Sequence, residues 1–247
     1  MGKVYAVKRG KKPGIYHTWS ECKAQTDHCD AEFKSFKTLA EAQAYMASPE
    51  PYYNVEKYNF KDFDAVIHTD GGCRNHGNVK GGHVKATDPS AWCYRIDMQD
   101  GTEKFYYRTD GKFGATNNEM ELKAVCEALK DMRGQHNVPK LTTKKLLFVL
   151  DSKYVLYASR PGWLDSKART GFNIINGQLW EQIYNLLQNY DHISWAWTHG
   201  HRGEQGNEFV DHTLNETMDL LENEQNENKD DAGFLSELVN TVYDERC

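Results

Sequence analysis

Four acidic residues have the chemistry and the placement to hold metal ions. Asp70 and Asp151 each lie at the end of a run with the apolar pattern of a β-strand, whereas Glu121 and Asp211 lie in the predicted first turns of helices. If the two strands are parallel neighbours, both end at the same edge of the sheet, where open α/β folds place their sites. Carboxylates gathered there repel one another unless cations lie between them, and Mg²⁺ prefers oxygen ligands of this kind.

This arrangement predicts a particular chemistry. Two divalent ions held by carboxylates can activate a water molecule and stabilise the leaving oxygen of a phosphodiester displacement. Each acid taken singly has a simpler structural explanation. An Asp at a strand end is usually a turn former, and an acid near a helix start can merely favour the helix dipole. The prediction therefore depends on the four acids being brought together.

The elements that must position these acids follow from the apolar pattern of residues 63–221. In the first strand Ala65, Ile67 and Thr69 alternate with Val66, His68 and Asp70, and we expect the strand to stop at Gly71 and Gly72. Residues 145–150 form a near-continuous apolar run, which is typical of a central strand. Asn117 is the expected cap of the helix that carries Glu121. The predicted order β-β-β-α-β-α-α-β-α indicates an α/β fold, with a mixed five-stranded sheet flanked by helices.

The context of the four acids resembles the four acidic motifs of the ribonuclease H family. The matching segments, in chain order, are Thr69-Asp70-Gly71-Gly72, Asn117-Asn118-x-Met120-Glu121-Leu122, Asp151-Ser152-x-Tyr154-Val155 and Gly200-His201-x-Gly203 followed by Asn207-Glu208-x-x-Asp211. The resemblance implies a ribonuclease H-like fold and a metal-dependent endonuclease that cleaves the RNA strand of RNA–DNA hybrids. The products would carry 5′-phosphate and 3′-hydroxyl ends.

The same resemblance implies roles for individual residues. The metal ligands would be Asp70, Glu121, Asp151 and Asp211, with two Mg²⁺ ions as the cofactor and Mn²⁺ as an alternative. Glu121, and not Glu119, falls on the acid of the second motif. His201 would act near the scissile phosphate, in proton transfer or product release, as a histidine in a glycine-flanked loop can. The residues that would contact the nucleic acid strands are Asn117, Asn118 and Asn176, although capping and turn formation are an alternative explanation for them.

Residues 1–47 have the pattern of a separate small α+β module, with the order β-β-α-β-α and a net charge of +3. Lys34 and its basic neighbours can neutralise phosphates, and Trp19 and Phe36 can lie against sugars or bases. The alternative is a solvated basic surface around a small core. Val7-Lys8-Arg9-Gly10, Trp19-x-Glu21-Cys22-x-x-Gln25 and Phe33-Lys34-Ser35-Phe36 resemble the RNA–DNA hybrid-binding domain of type 1 ribonucleases H. The resemblance implies an RNA–DNA hybrid as the partner, with double-stranded RNA as an alternative.

The remaining segments and the composition set the wider expectations. Residues 48–62 are interpreted as a linker, and residues 222–247 as an acidic tail with a net charge of −6. The whole-chain charge of −6 therefore conceals the basic module. The sequence has no apolar run of membrane-spanning length and no signal-peptide pattern, so we expect a cytoplasmic monomer that does not bind membranes. The six cysteines form no Cys-x-x-Cys pair, which favours free thiols over a zinc site.

Two other functions fit parts of the pattern. The chain could be a hybrid or double-stranded RNA binding protein with a silent nuclease fold, but all four acids are present. It could also be another nuclease or recombinase of the same fold, such as a resolvase or transposase. The Asn117-Asn118-x-Met120-Glu121-Leu122 motif and the short chain disfavour this second alternative.

Overall fold

The computed structural model describes residues 3–27, 31–47, 53–75, 83–156, 160, 162–198 and 204–230. The chain divides into two compact units at residues 51 and 52, and each unit is considered by itself. Within the described residues, no helix has both the length and the apolar content to cross a membrane.

The N-terminal unit is a three-stranded antiparallel sheet with two helices, and its elements occur in the predicted order β-β-α-β-α. Its elements are β1 (Val4–Arg9), β2 (Gly14–Tyr16), α1 (Trp19–Thr26), β3 (Glu32–Phe36) and α2 (Leu39–Ala47). The strand order is β2-β1-β3. Thr18 and Glu21 form a capping box at the start of α1, and Thr38 with Glu41 forms the predicted one at α2. At the start of each helix, the threonine hydroxyl therefore accepts a hydrogen bond from a backbone N–H that has no partner within the helix.

The second unit is a mixed sheet with helices, and apart from a short additional strand at its start, its elements occur in the predicted order. The strands are β4 (Tyr53–Asn54), β5 (Ala65–Cys73), β6 (Pro89–Met98), β7 (Phe105–Phe113), β8 (Lys145–Leu150) and β9 (His192–Trp197). The helices are α3 (Asn117–Asp131), α4 (Trp163–Ala168), α5 (Gly177–Leu187) and α6 (Gln205–Asp230). The sheet order is β4-β9-β8-β5-β6-β7. β5 and β8 are parallel neighbours, which confirms the arrangement expected for the strands that carry Asp70 and Asp151.

The stretch predicted to be a linker contributes to the second unit. Tyr53 and Asn54 pair in parallel with Ala196 and Trp197 at the end of β9, so the sheet has a sixth, two-residue strand. Tyr58 and neighbouring apolar residues pack against the buried cluster of Val66, Leu147, Val149 and Ala196. The sequence pattern missed this because the segment has no helical period and its strand is too short to show alternation.

The core of the second unit lies mainly between the sheet and α3 with α5. Apolar side chains of β5, β6 and β8 meet the buried face of α3, including Leu122, Val125 and Leu129. The other face of the sheet packs against α6, where Val210, Leu214 and Met218 contact Ala91 and Cys93. Each helix that carries a predicted metal ligand is therefore fixed against the central strands by a buried apolar stripe.

Candidate active site

Three of the four predicted metal ligands meet in one place. Asp70, Glu121 and Asp151 each offer a carboxylate oxygen, and these oxygens lie within 4.8 Å of one another. They come from β5, from the first turns of α3 and from the residue that follows β8. Asp70 is only 8% exposed, whereas the other two side chains are half-buried. Acids distant in sequence thus form a compact cluster at the end of β8.

Asp70 does not lie where its strand ends. The sequence predicted a stop at Gly71 and Gly72, but β5 continues to Cys73, and both glycines pair with β6. A Cβ atom on Gly71 would lie 2.2 Å from the backbone nitrogen of Glu121. Gly71 is therefore needed because α3 approaches the strand at this point, and this close approach brings Glu121 next to Asp70.

The helix that carries Glu121 begins one residue earlier in the chain than predicted. The cap is Thr116, whose hydroxyl accepts a hydrogen bond from Glu119 N–H at 3.2 Å, and the prediction of Asn117 as the cap is wrong. Threonine and asparagine both serve as caps, so the sequence alone could not separate the two positions. As a consequence, Asn117 and Asn118 both lie in the first turn of α3, where they are exposed.

The backbone at Asp151 is held by the neighbouring strand. The Nε1–H of Trp197 donates to the carbonyl oxygen of Asp151 at 3.0 Å, and Thr198 N–H donates to the carbonyl of Leu150 at 2.9 Å. Two hydrogen bonds from the end of β9 therefore fix the point where the chain leaves β8. This rigidity presents Asp151 to the cluster with little conformational freedom.

The carboxyl groups of the cluster lie close together and are partly buried, and both conditions disfavour their ionised form. Burial, followed by the negative charge of Asp151 and more weakly that of Asp211, raises the pKa of Asp70 to about 8, although the N–H of Gly71 donates to its Oδ1 at 2.7 Å. Burial and the charges of Asp70 and Asp151 also raise the pKa of Glu121 well above its usual value. The protein alone therefore does not compensate the negative charges that these groups would carry when ionised.

The donor set fits a hard divalent cation. The ligands are carboxylate oxygens, which Mg²⁺ and Mn²⁺ prefer. Oε2 of Glu121 is buried and has no hydrogen-bond partner among the described residues. Such an atom is costly in a protein interior unless a cation or water meets it. Asp70, Glu121 and Asp151 could therefore hold a metal ion, whose charge would offset their mutual repulsion.

Asp211 approaches this cluster from α6 and is not one of the three residues within 4.8 Å. Its charge nonetheless contributes to the raised pKa of Asp70, which places it nearby. The side-chain amide of Asn215 donates to Asp211 Oδ1 at 3.3 Å and to the Asp211 carbonyl at 2.7 Å. Asn215 was missed by the sequence analysis, although its spacing of four residues places it one helical turn beyond Asp211.

The raised pKa of Asp70 predicts how stability depends on pH in metal-free protein. Folded Asp70 keeps its proton up to about pH 8, whereas the ordinary value is 3.8, so the folded state binds more protons between these limits. Stability should therefore fall as pH rises through this window, by at least about 1.4 kcal/mol, the equivalent of one pKa unit. Thermal melts in a chelator at a series of pH values measure this fall.

Two comparisons test the origin of that pH dependence. Mg²⁺ should restore stability most at high pH, because it binds the ionised carboxylates. Asp70→Asn should flatten the pH dependence, because the amide does not ionise. Equal slopes for Asp70→Asn and the unchanged protein would show that Asp70 is not the titrating group.

The structure describes most of the other predicted site residues. Asn176 is the residue before α5 and has a left-handed backbone (φ +57°), and its side-chain amide donates to the Tyr154 hydroxyl at 3.3 Å. That hydroxyl also accepts from Trp180 Nε1–H at 3.1 Å, so the short network ties Asn176 to the segment that follows Asp151. His201 lies outside the described residues.

In the N-terminal unit, Trp19 forms an exposed aromatic surface with two residues that the sequence analysis did not select. Its ring centroid lies 5.7 Å from those of Tyr5 and Phe33, and Trp19 and Phe33 are 48% and 41% exposed. We call Tyr5, Trp19 and Phe33 the aromatic surface. Phe33 and Phe36 are three residues apart on β3, so strand alternation places them on opposite faces. The sequence alone therefore already separated these two aromatic residues.

Phe36 packs into the core of the module, although the sequence predicted that it contacts the nucleic acid. It is half-buried, packs against the core of Val4, Ala6 and Ala42, and lies 5.2 Å from the ring of Tyr45. Lys34 is exposed, and its ammonium group lies 5.7 Å from the centroid of the Phe36 ring. The geometry therefore favours Phe33 over Phe36 as the aromatic partner of Trp19.

Comparison with known proteins identifies both units. Residues 3–46 match the family profile described as the Ribonuclease H1 N-terminal domain, and residues 62–218 match the RNase H profile, which thus covers more than half of the 247-residue chain. The protein belongs to the ribonuclease H family. Two domains in this order agree with a type 1 ribonuclease H, which confirms the predicted resemblance and the prediction of an enzyme of this class.

Individual ribonucleases H show how far the similarity extends. Ribonuclease H1 of Rattus norvegicus is 26% identical over 269 residues, an alignment that spans 87% of this chain and 89% of the relative. Ribonuclease H of Polaromonas naphthalenivorans is 32% identical, and the alignment spans 62% of this chain and 86% of the relative. The rat protein therefore aligns across both units, whereas the bacterial one aligns with a smaller part of the chain.

Solved structures support the ribonuclease H fold. LC9-RNase H1, described as a type 1 RNase H with the type 2 active-site motif, superposes with a TM-score of 0.52. The sequences are 20% identical, and the superposition covers 64% of this chain and 72% of that chain. Together with the observed mixed sheet, this similarity confirms the predicted fold class, to which β4 adds a short sixth strand.

Proposed function

We propose that the protein is a metal-dependent endonuclease that hydrolyses the RNA strand of RNA–DNA hybrids. The observation that carries this proposal is the convergence of Asp70, Glu121 and Asp151 within 4.8 Å inside a ribonuclease H fold. Three carboxylates, one of them largely buried, need a dication, and phosphodiester hydrolysis is a reaction that dications held in this way promote. Cleavage leaves 5′-phosphate and 3′-hydroxyl ends.

The residues of the cluster would divide the work of holding two Mg²⁺ ions. Asp70 and Asp151 would hold both ions, and Glu121 and Asp211 would complete the set of ligands; Mn²⁺ is the alternative cofactor. When bound, the ions supply the activated water and stabilise the leaving oxygen. His201 is proposed to move a proton or assist product release near the scissile phosphate.

Side chains on the exposed first turn of α3 would position the substrate. Asn117 and Asn118 lie beside Glu121, and Asn176 is tied to the segment that follows Asp151. Amide side chains both donate and accept hydrogen bonds, so they can contact the 2′-hydroxyl that separates RNA from DNA. We propose that these asparagines align the RNA strand for cleavage.

The N-terminal module would increase affinity for the hybrid. Its exposed Trp19 lies beside Phe33 of β3, and Lys34, the next residue of that strand, adds a positive charge. Aromatic rings contact sugars or bases, and lysines neutralise phosphates. A second binding site on the same chain raises the effective concentration of hybrid at the nuclease domain. A cytoplasmic monomer remains the prediction for location and assembly, with double-stranded RNA as an alternative ligand of this module.

One assay tests the proposed function against its alternatives. End-labelled RNA–DNA hybrid, single-stranded RNA, double-stranded RNA and duplex DNA are incubated with the protein, with Mg²⁺ or with a chelator. We expect internal cleavage of the RNA strand of the hybrid alone, and only with the metal. Binding without cleavage would identify a silent binding protein, and cleavage of duplex DNA would identify another nuclease of this fold.

Loss of the Trp19 ring should weaken binding without altering the chemical step. Stacking on an aromatic side chain contributes about 1–3 kcal/mol per base, so Trp19→Ala should raise the half-saturating hybrid concentration about fivefold or more, with unchanged kcat. Leu39→Ala is the matched control, because Leu39 is also an exposed apolar residue of this module but lies outside the aromatic surface. Equal saturation curves for both variants would show that the aromatic surface does not bind the hybrid.

A further inference from the structure

A histidine that the sequence analysis did not select lies at the centre of the second unit. His68 is on β5, two residues before Asp70, and only 2% of it is exposed. Its Nε2 lies 3.0 Å from Glu204 Oε2, and its Nδ1 lies 3.3 Å from Asp97 Oδ2. A buried imidazole between two carboxylates is a costly arrangement, because three polar groups must be desolvated together. Such an arrangement calls for a functional explanation.

Glu204 joins this histidine to the beginning of α6. Its Oε2 accepts a hydrogen bond from Asn207 N–H at 2.8 Å, and its Oε1 accepts from Gly206 N–H at 3.4 Å. The carboxylate therefore caps the helix whose second turn carries Asp211. The same side chain contacts His68, so strand β5 and the first turn of α6 share one anchoring group.

His68 and the first turn of α6 pack so closely that neither can move towards the other. A Cβ atom on Gly206 would lie 2.2 Å from the imidazole ring of His68. On the other side of the ring, the Arg95 guanidinium donates to Asp97 at 2.6–3.1 Å and lies 4.9 Å from the centre of the Phe209 ring on α6. His68 is thus part of a continuous set of contacts from β6 through β5 to α6.

A second polar contact fixes α6 beyond Asp211. Arg74 follows β5, and its Nη2–H donates to the carbonyl of Asn215 at 3.0 Å, while its Nη1 pairs with Asp219. Asn215 is the residue whose amide donates to Asp211. The strand of Asp70 therefore contacts α6 through polar groups both before and after Asp211, and the distance between these two acids depends on those contacts.

We infer that His68 is a positioning residue, which acts through Glu204 to hold α6 so that Asp211 faces the cluster of Asp70, Glu121 and Asp151. The inference rests on the proposed function, because it assigns Asp211 to the metal site. Asp211 is not one of the three residues whose carboxylate oxygens lie within 4.8 Å of one another. Its distance from them therefore depends on where α6 packs against the sheet. Residues that orient metal ligands in this way influence metal affinity strongly.

Three variants of the full-length chain test the inference. Glu204→Ala removes the cap and the contact with His68, whereas Glu204→Gln keeps one oxygen, which can take the place of Oε2 and accept from Asn207 N–H. Gly206→Ala forces the helix away from His68 without changing any charge. Glu204→Ala and Gly206→Ala should each lower both the Mg²⁺ or Mn²⁺ affinity of the protein without nucleic acid and kcat, by about tenfold or more. Glu204→Gln should restore most of both, and KM for the hybrid should stay unchanged.

The control separates positioning from a general loss of stability. Leu186→Ala removes a buried side chain from α5, on the opposite side of the sheet from α6, and lowers the melting temperature without touching the contacts of His68. Calorimetric metal titrations and saturation kinetics are compared among variants. If Glu204→Ala and Gly206→Ala lose no more metal affinity than Leu186→Ala, the inference is overturned. If the unchanged protein binds no divalent metal, the proposed function itself fails.

Discussion

Asp70→Asn is expected to abolish hybrid cleavage while leaving hybrid binding intact. Asp70 is the most buried member of the cluster, and its carboxylate lies within 4.8 Å of those of Glu121 and Asp151. Metal ions contribute several kcal/mol of transition-state stabilisation, so removal of a shared ligand should lower kcat about 10³-fold or more. The amide also removes one negative charge from the surface that the phosphates approach, so binding should be equal or tighter.

Cleavage of labelled hybrid and fluorescence anisotropy on the same preparation measure the two effects. Asp191→Asn is the matched control, because it makes the same chemical change at an exposed position after α5. The control should cleave at the normal rate. Normal cleavage by Asp70→Asn would show that the cluster is not the catalytic site. Loss of binding together with cleavage would show that Asp70 has a structural role instead.

The sequence predicted the part of the site that depends on strands and their order. Alternation in residues 65–70 and the apolar run 145–150 identified two strands, and the element order made them parallel neighbours, as they are. The acids of these strands therefore had to emerge at one edge of the sheet. The alternation of a strand depends only on neighbouring residues, and the order of the elements restricts how the strands can pair. Both can therefore be read from a single sequence.

Features that depend on contacts between distant elements were not predictable in the same way. Gly71 looks like a turn residue because glycine often is one, yet its function depends on α3 lying against β5. His68 alternates correctly for a strand, but nothing near it in sequence indicates that Glu204 will lie 3.0 Å away. The exposure of Phe33 and the burial of Phe36 likewise depend on where α2 packs.

The close approach of α3 to β5 leads to the second large expected effect. Gly71→Ala would place a Cβ atom 2.2 Å from the backbone nitrogen of Glu121 and from the backbone carbon of Met120, and neither atom can move without the helix. The backbone must therefore shift by about 1 Å to restore normal contacts, and a misplacement of that size can cost about 100-fold in rate. We expect kcat to fall by at least that factor, with weaker metal binding and a lower melting temperature.

The neighbouring glycine is a matched control for this substitution. A Cβ atom on Gly72 would lie 3.1 Å from Leu214 Cδ1 and 3.7 Å from Met218 Cε, which are the ends of flexible side chains. Gly72→Ala should therefore retain most activity and metal affinity, although it adds the same methyl group to the same strand. Equal activity of the two variants would mean that α3 can retreat from β5 without loss. The position of Glu121 would then not depend on Gly71, and the close contact between strand and helix would have no catalytic importance.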